Sequence, residues 1–177
     1  RNSPQWNADR GLWEWWYWST CPEVATGKHT LPHYATSADG LNWDKPSLGL
    51  YEWRGSRHNN ISSYPDGRRL YHVIRDENEE NPERLYKGLF DFRDRWIGFS
   101  PGGFTWDMPD RSPIPSGDES HLIYDPYTKL YAAFVKQSTE WGRSVYLSTS
   151  PDFEEWTFPE LVFKTDEIDM YNREQRI

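Results

Sequence analysis

The sequence carries a single cysteine, Cys21, and so has no internal disulfide. Cys21 has no metal-ligand companions at a recognisable spacing and reads as a small buried side chain. No apolar run approaches the length of a membrane span. Nor does a charged-then-apolar signal follow Arg1, an absence that a mature secreted protein would share. Stretches with a helical apolar stripe are also lacking. The longest polar run, Asp76-Glu-Asn-Glu-Glu-Asn-Pro-Glu-Arg84, contains proline and reads as an exposed, solvated loop between two strands of a middle unit. Positive charge is short as well: the net charge is −8, the wrong sign of field for nucleic acid. Neither nucleic acid nor membrane is therefore expected as a partner. No residue spacing calls for a metal or another cofactor.

What the chain has is rings and turns. Aromatic residues make up 17% of it, with 11 Trp and 11 Tyr, so the core must lean on large rings more than on aliphatic side chains. The 13 Pro and 12 Gly recur between short apolar runs, the pattern of many short strands joined by turns. At 177 residues the chain suffices for one domain with a real core but is short for a complete multi-bladed ring.

Internal repetition organises these runs. Ser37-Ala-Asp-Gly-Leu-Asn-Trp43-Asp-Lys-Pro46, Ser100-Pro-Gly-Gly-Phe-Thr-Trp106-Asp-Met-Pro109 and Ser150-Pro-Asp-Phe-Glu-Glu-Trp156-Thr-Phe-Pro159 share one spacing. In each, Ser precedes Trp by six residues and Pro follows Trp by three. Turn formers, a packing Trp and a strand-ending Pro predict a hairpin. Strand-like runs lie just ahead: Tyr34-Ala-Thr, Trp96-Ile-Gly-Phe and Val145-Tyr-Leu. A second template, Leu12-Trp-Glu-Trp-Trp, Leu70-Tyr-His-Val-Ile and Leu130-Tyr-Ala-Ala-Phe, follows the turn signals Asp9-Arg-Gly, Pro65-Asp-Gly-Arg and Asp125-Pro-Tyr-Thr. Its Leu positions are 58 and 60 apart, against 63 and 50 for the Trp positions. This period predicts an all-β fold, a β-propeller of four-stranded antiparallel blades with about three present. The competing reading is a generic β-sandwich. The blade-like units run over about 1–56, 57–116 and 117–166, with an opening strand over 167–177. The chain is then a fragment of a longer enzyme, a protein whose last strand completes its first blade, or one that assembles from copies of itself.

Ser150-Pro-Asp-Phe-Glu-Glu-Trp156 resembles the Ser-x-Asp-Leu-x-x-Trp hairpin of five-bladed propeller glycoside hydrolases of families 32 and 43. The segment from Tyr34 to Ile61 is similar to bacterial proteins described as family-32-like. Those chains continue for further blades, so the resemblance implies part of a five-bladed fold and a carbohydrate substrate. The sialidase Asp-box is one residue longer, which argues against that six-bladed group.

In a propeller the first residues of each innermost strand reach the channel mouth. The units open with Arg57-His-Asn-Asn60, Gly117-Asp-Glu-Ser-His121 and Glu167-Ile-Asp-Met-Tyr-Asn172. Asn60, Asp118 and Asp169 follow their Trp by 17, 12 and 13 residues, so polar clusters recur at matching places. Glycoside hydrolysis needs two carboxyl groups whose environments separate their pKa values. The resemblance places Asp118 where these enzymes carry an auxiliary Asp, in an Arg-Asp-Pro motif, that orients substrate; here Gly117-Asp118-Glu119 stands instead. For the acid opening the next blade the chain offers Asp169, with Glu167 and Glu174 nearby. The nucleophile of the first blade has no counterpart, Asp9 reading as a turn residue. Asp118, Glu119 and Asp169 are thus the candidate catalytic residues. Arg57, His58, Asn59, Asn60, His121, Tyr171 and Asn172 are candidates for binding sugar hydroxyls, with Asn-stabilised turns the rival reading for 58–60. His121 either faces the channel or packs into the sheet. Trp13, Trp15, Trp16 and Trp18 are expected to pack in the core rather than to form a sugar platform. Three functions follow: a glycoside hydrolase, a carbohydrate-binding propeller without a complete acid pair, or a module joined to further blades or a second copy through open edges.

Overall fold

Residues 2–20, 30–62, 69–140 and 142–169 are described by a computed structural model. Cys21, the turn signal at 65–68, Tyr171, Asn172 and Glu174 lie outside these residues. The described chain is antiparallel β structure with one 3-10 turn, Pro82–Arg84, and a helical turn over 167–169. It separates into two compact units, Arg1–Asp91 with Ile97–Asp110, and Phe92–Trp96 with Arg111–Ile177.

The first unit holds two three-stranded sheets. Strands β1 (Gln5–Asn7), β2 (Leu12–Thr20) and β3 (Thr30–Ser37) form sheet 1 in that order. Strands β4 (Leu70–Arg75), β5 (Tyr86–Phe90) and β6 (Trp96–Ser100, all but its first residue in this unit) form sheet 2. In the second unit β7 (Ser120–Asp125), β8 (Leu130–Thr139), β9 (Gly142–Ser150) and β10 (Glu160–Lys164) form the four-stranded sheet 3.

All three Ser-to-Trp segments fold as the spacing predicts, and their hydrogen bonds show why Ser leads them. Ser37 Oγ accepts from the Gly40 N–H at 2.9 Å, and Ser100 Oγ accepts from the Gly103 N–H at 2.8 Å. Where an Asp stands two residues after Ser, its carboxylate collects the next amides: Asp39 those of Leu41 and Asn42, Asp152 those of Glu154 and Glu155. Three residues after Ser the backbone is left-handed in every copy, φ being 75° at Gly40, 78° at Gly103 and 66° at Phe153. Phe153 accepts that strain while burying its ring completely. The hairpin Trp then donates back to this same residue, Trp43 to the Gly40 carbonyl and Trp156 to that of Phe153. In the middle copy Trp16 takes the Gly103 carbonyl instead, at 3.0 Å, and the buried Trp106 Nε1 has no partner among the described residues.

The second template holds in two units and fails in one. Leu12 and Leu130 begin interior strands of their sheets, whereas Leu70 begins β4, an edge of sheet 2. The strand of sheet 2 that matches β2 and β8 is β5, next to the hairpin strand β6. The acidic run 76–84 is likewise not a merely solvated loop. Lys87, fully buried, donates to Asp76 and Glu79 at 2.8 Å each, so two of its acids balance an interior cation.

Side-chain alternation explains how sheet 1 seats on sheet 2. Glu14, Trp16 and Trp18 share one face of β2. Trp16 lies against Tyr86 and Phe104, with centroids 5.5 and 6.0 Å away, and Trp18 packs edge-on to Tyr71 at 5.0 Å. Trp16 is thus core, as expected of the tryptophan cluster, while Trp13, Trp15 and Trp18 are only half-buried.

Candidate functional site

In the second unit a buried arginine sets the opening of β7. Arg95, with no exposed surface, donates from Nε to Ser120 Oγ at 2.7 Å and from Nη2 to the Gly117 carbonyl at 3.0 Å. The Gly117 N–H also donates to the Lys136 carbonyl, and the ideal Cβ position on Gly117 lies 3.0 Å from that oxygen. This clamp places Asp118 between two cations. Its Oδ1 accepts from Lys136 Nζ at 2.6 Å and its Oδ2 from Arg143 Nη2 at 3.1 Å. The Lys136 hydrogen bond, more than the charges around it, holds the Asp118 carboxyl below the usual carboxylate range. Asp118 is therefore an anion throughout neutral pH and not a proton donor.

Glu119 and His121 line a hollow of about 350 Å³ beside this opening. Lys136 and Arg143 complete its polar rim, and Phe134, Val145 and Phe163 form an apolar floor. His121 is exposed there rather than packed into the sheet. Asp169 behaves differently. Its Oδ2 accepts from the Asp166 N–H at 3.1 Å, and its own N–H returns a bond to Asp166 Oδ1 at 3.4 Å. It caps a helical turn at 167–169, where a strand opening was expected, and Glu167 sits in the same turn.

In the first unit, Arg57 to Asn60 do not open a strand of sheet 2. The segment runs beside β3: the Tyr34 N–H donates to the Asn60 carbonyl, and Ile61 bridges His33. Asn59 is an Asx turn, its Oδ1 accepting from the Ile61 N–H and its Nδ2 donating to the Tyr51 carbonyl. Asn60 donates from Nδ2 to Tyr17 Oη and to the Tyr34 carbonyl, and its Oδ1 sits 3.0 Å from His33 Nδ1. His33 in turn meets Ser19 Oγ through Nε2 at 2.8 Å. Burial, reinforced by Lys45, pushes the His33 pKa down against the pull of Asn60. Both amides are occupied in pinning a loop, whereas Arg57 and His58 are exposed.

One cluster had no signal in the sequence. Glu14 is 1% exposed, and its carboxylate accepts from Tyr34 Oη, Tyr86 Oη, Asn7 Nδ2 and Arg10 Nη1. Burial foremost, with Glu14 adding to it, pushes both tyrosine hydroxyls well above the usual phenol range. Nearby, Arg75 pairs with Asp9 and Glu77. Glu14 lies between tryptophans, and its donors come from as far as 72 residues away, so no local pattern announces it.

No protein-family profile matches the sequence, and no curated protein matches it. Solved structures do. The β-fructofuranosidase of Schwanniomyces occidentalis complexed with fructosyl-erythritol matches 92% of this chain at 16% identity with a TM-score of 0.65. The same enzyme with fructose gives 0.64, also at 16% identity and 92% coverage. An N-acetylgalactosamine deacetylase from F. plautii, in complex with blood group B trisaccharide, matches at 15% identity with a TM-score of 0.52. The chain spans 33% and 34% of the two fructofuranosidase chains and 53% of the deacetylase. The chain thus shares its fold with part of the fructofuranosidases, which are glycoside hydrolases of family 32 built as propellers.

Proposed function

We propose that this chain is part of a five-bladed propeller that acts on carbohydrate by acid/base hydrolysis of a glycosidic bond at the channel mouth. One observation carries this reading: Asp118, fixed between Lys136 and Arg143, immediately precedes Glu119, which faces an open hollow. Asp118 serves as the permanent anion that orients a sugar hydroxyl, and Glu119 serves as the group that exchanges a proton. His121 and the free edge of the Arg143 guanidinium supply further polar contacts. Fructosyl saccharides are the first substrates to try, because the fructofuranosidase structures hold fructose and fructosyl-erythritol.

The test is release of free sugar from fructosyl oligosaccharides by the full chain and by two variants. Glu119→Gln should abolish turnover, and Asp118→Asn should raise KM more than it lowers kcat. Unchanged turnover in both variants, with folding retained by circular dichroism, would end the assignment. A second reading, saccharide binding without hydrolysis, draws support from Asp169. Of the three candidate acids, Asp118 is locked as an anion and Asp169 caps its own turn, leaving Glu119 alone to transfer a proton. Hydrolysis also needs an ionised carboxylate as nucleophile or base, and Asp118, the anion beside Glu119, is engaged by Lys136 and Arg143. Saccharide binding with no product on prolonged incubation would favour this reading.

A further inference from the structure

Ser19, His33 and Asn60 form a hydrogen-bonded line in the compact unit that does not hold Asp118 and Glu119. His33 on β3 pairs with Tyr17 on β2, and Ser19 lies two residues beyond Tyr17, so these three side chains share one face near the end of both strands. Asn60 reaches them from the segment that runs along the side of β3 away from β2. The geometry is set within one sheet and the loop beside it, whatever lies against either face of that sheet.

The order of donors along the line follows from its inner end. Asn60 donates from Nδ2 to the Tyr34 carbonyl at 2.8 Å, and a carbonyl can only accept. This fixes the amide, so Oδ1 is the atom 3.0 Å from His33 Nδ1, and Nδ1 must carry the proton. Burial keeps the imidazole neutral at neutral pH, which leaves a lone pair on Nε2. Ser19 Oγ stands 2.8 Å from that lone pair and donates its proton to it. Tyr17 stacks on the imidazole, with centroids 5.5 Å apart and planes 23° apart, and holds the ring in this plane. Ser19 is exposed, His33 and Asn60 half-buried, so the chain of bonds runs from a held interior end to a reachable hydroxyl.

We propose that Ser19 is a nucleophile for small carboxylic esters, with His33 as its general base and Asn60 as the residue that positions His33. Nucleophile, base and orienting group in this order are what activates a serine, and each distance is within hydrogen-bond reach. Ser19 Oγ bonds to the acyl carbon as its proton passes to His33 Nε2. The imidazolium then gives that proton to the leaving alkoxide as the acyl–oxygen bond breaks, so an alcohol departs and Ser19 keeps the acyl group. Water, deprotonated by His33 in the same way, releases the carboxylic acid and restores Ser19. An ester suits the line better than an amide, because its carbonyl is more electrophilic and its leaving group less basic. General-base assistance of this kind is worth roughly 100-fold to 10,000-fold in rate. The inference stands independently of the carbohydrate reading, whose residues lie in the other unit.

The probe is p-nitrophenyl acetate, with peptide mass spectrometry locating the acetyl group. In the wild-type chain Ser19 should gain acetyl at least about 100-fold faster than Ser47, an exposed serine of the same unit. His33→Gln should remove that advantage, and Ser19→Ala, at an exposed position, should lose the matching share of p-nitrophenolate release. Acetylation of Ser19 should fall in acid with an inflection below the ordinary histidine pKa of about 6.5, because only the neutral imidazole is a base. Nitrogen chemical shifts of His33 should report the proton on Nδ1 in the wild type and lose that preference in Asn60→Ala. Acetylation of Ser19 no faster than of Ser47 would overturn the proposal. So would a proton resting on Nε2 in the wild type, since Ser19 would then face a donor.

Discussion

Replacing Gly103 by Ala isolates the close approach on which the first unit depends. The substitution acts in three ways. An alanine at φ 78° occupies the left-handed region at a cost of about 1 kcal/mol. Its Cβ would stand 2.5 Å from Cζ2 of Trp16, a ring held by Tyr34, Tyr86 and Phe104 and only 2% exposed, so that overpacking adds about 1–3 kcal/mol. Displacing the indole also loosens its hydrogen bond to the Gly103 carbonyl, worth about 1 kcal/mol. Gly103→Ala should therefore destabilise by about 3–5 kcal/mol. Gly40→Ala is the matched control. It has the same place in the hairpin and φ 75°, but its Cβ would meet Trp13 at an ordinary 3.6 Å, so only the backbone cost of about 1 kcal/mol applies. Urea unfolding of both variants, followed by far-ultraviolet circular dichroism at low protein concentration, gives the difference. A gap of less than about 1 kcal/mol would show that Trp16 is not packed against Gly103 as described.

Lys87→Met should cost about 3–5 kcal/mol in the same assay, because Asp76 is left buried without its cation; a companion Asp76→Leu should recover part of the loss. His33 has a folded pKa below its unfolded value near 6.5, so the unfolded chain takes up the proton first on acidification. Stability should fall as pH drops below about 6.5, and His33→Gln should flatten that part of the profile. Tyr34 and Tyr86 stay protonated in the folded state beyond the usual phenol pKa near 10. Absorbance at the phenolate band should show these two titrating late, and stability should decline as pH rises from about 10 toward their raised folded values; ordinary titration of all tyrosines would refute the burial of this pair.

The hairpins were legible because their chemistry is local. Ser bonds to amides two and three residues ahead, Asp to the next two, and Trp returns to a carbonyl three back, so the spacing itself encodes the fold. The second template misled in the middle unit for a physical reason. Leu-Tyr-x-x-apolar after a turn describes any buried strand, and β4 satisfies it from an edge. The true counterpart, Tyr86-Lys-Gly-Leu-Phe90, hides behind a charged residue whose neutralising acids lie in what reads as a solvated loop. Among the candidate site residues, Asp118, Glu119 and His121 do gather at one strand opening. Arg95, which holds that opening in place, gave no sign of itself, since a buried guanidinium bonding a carbonyl 22 residues on leaves no spacing pattern. Asn59 and Asn60 carry the turn chemistry that was their rival reading, and their pairing with β3 left no trace in the sequence because the backbone bond from Tyr34 to Asn60 spans 26 residues and follows no periodicity.

The carboxylate of Glu14 is divided between two sheets: Tyr34 and Asn7 reach it from sheet 1, Tyr86 from sheet 2. While sheet 2 is absent, drying that face of sheet 1 would bury the charge without Tyr86, one of its four donors, and keeping it wet would leave Trp16 hydrated. Neither sheet can consolidate ahead of the other. Their appearance during refolding should be a single kinetic event, and a truncated chain carrying sheet 1 alone should remain a loose, solvent-filled set of three strands.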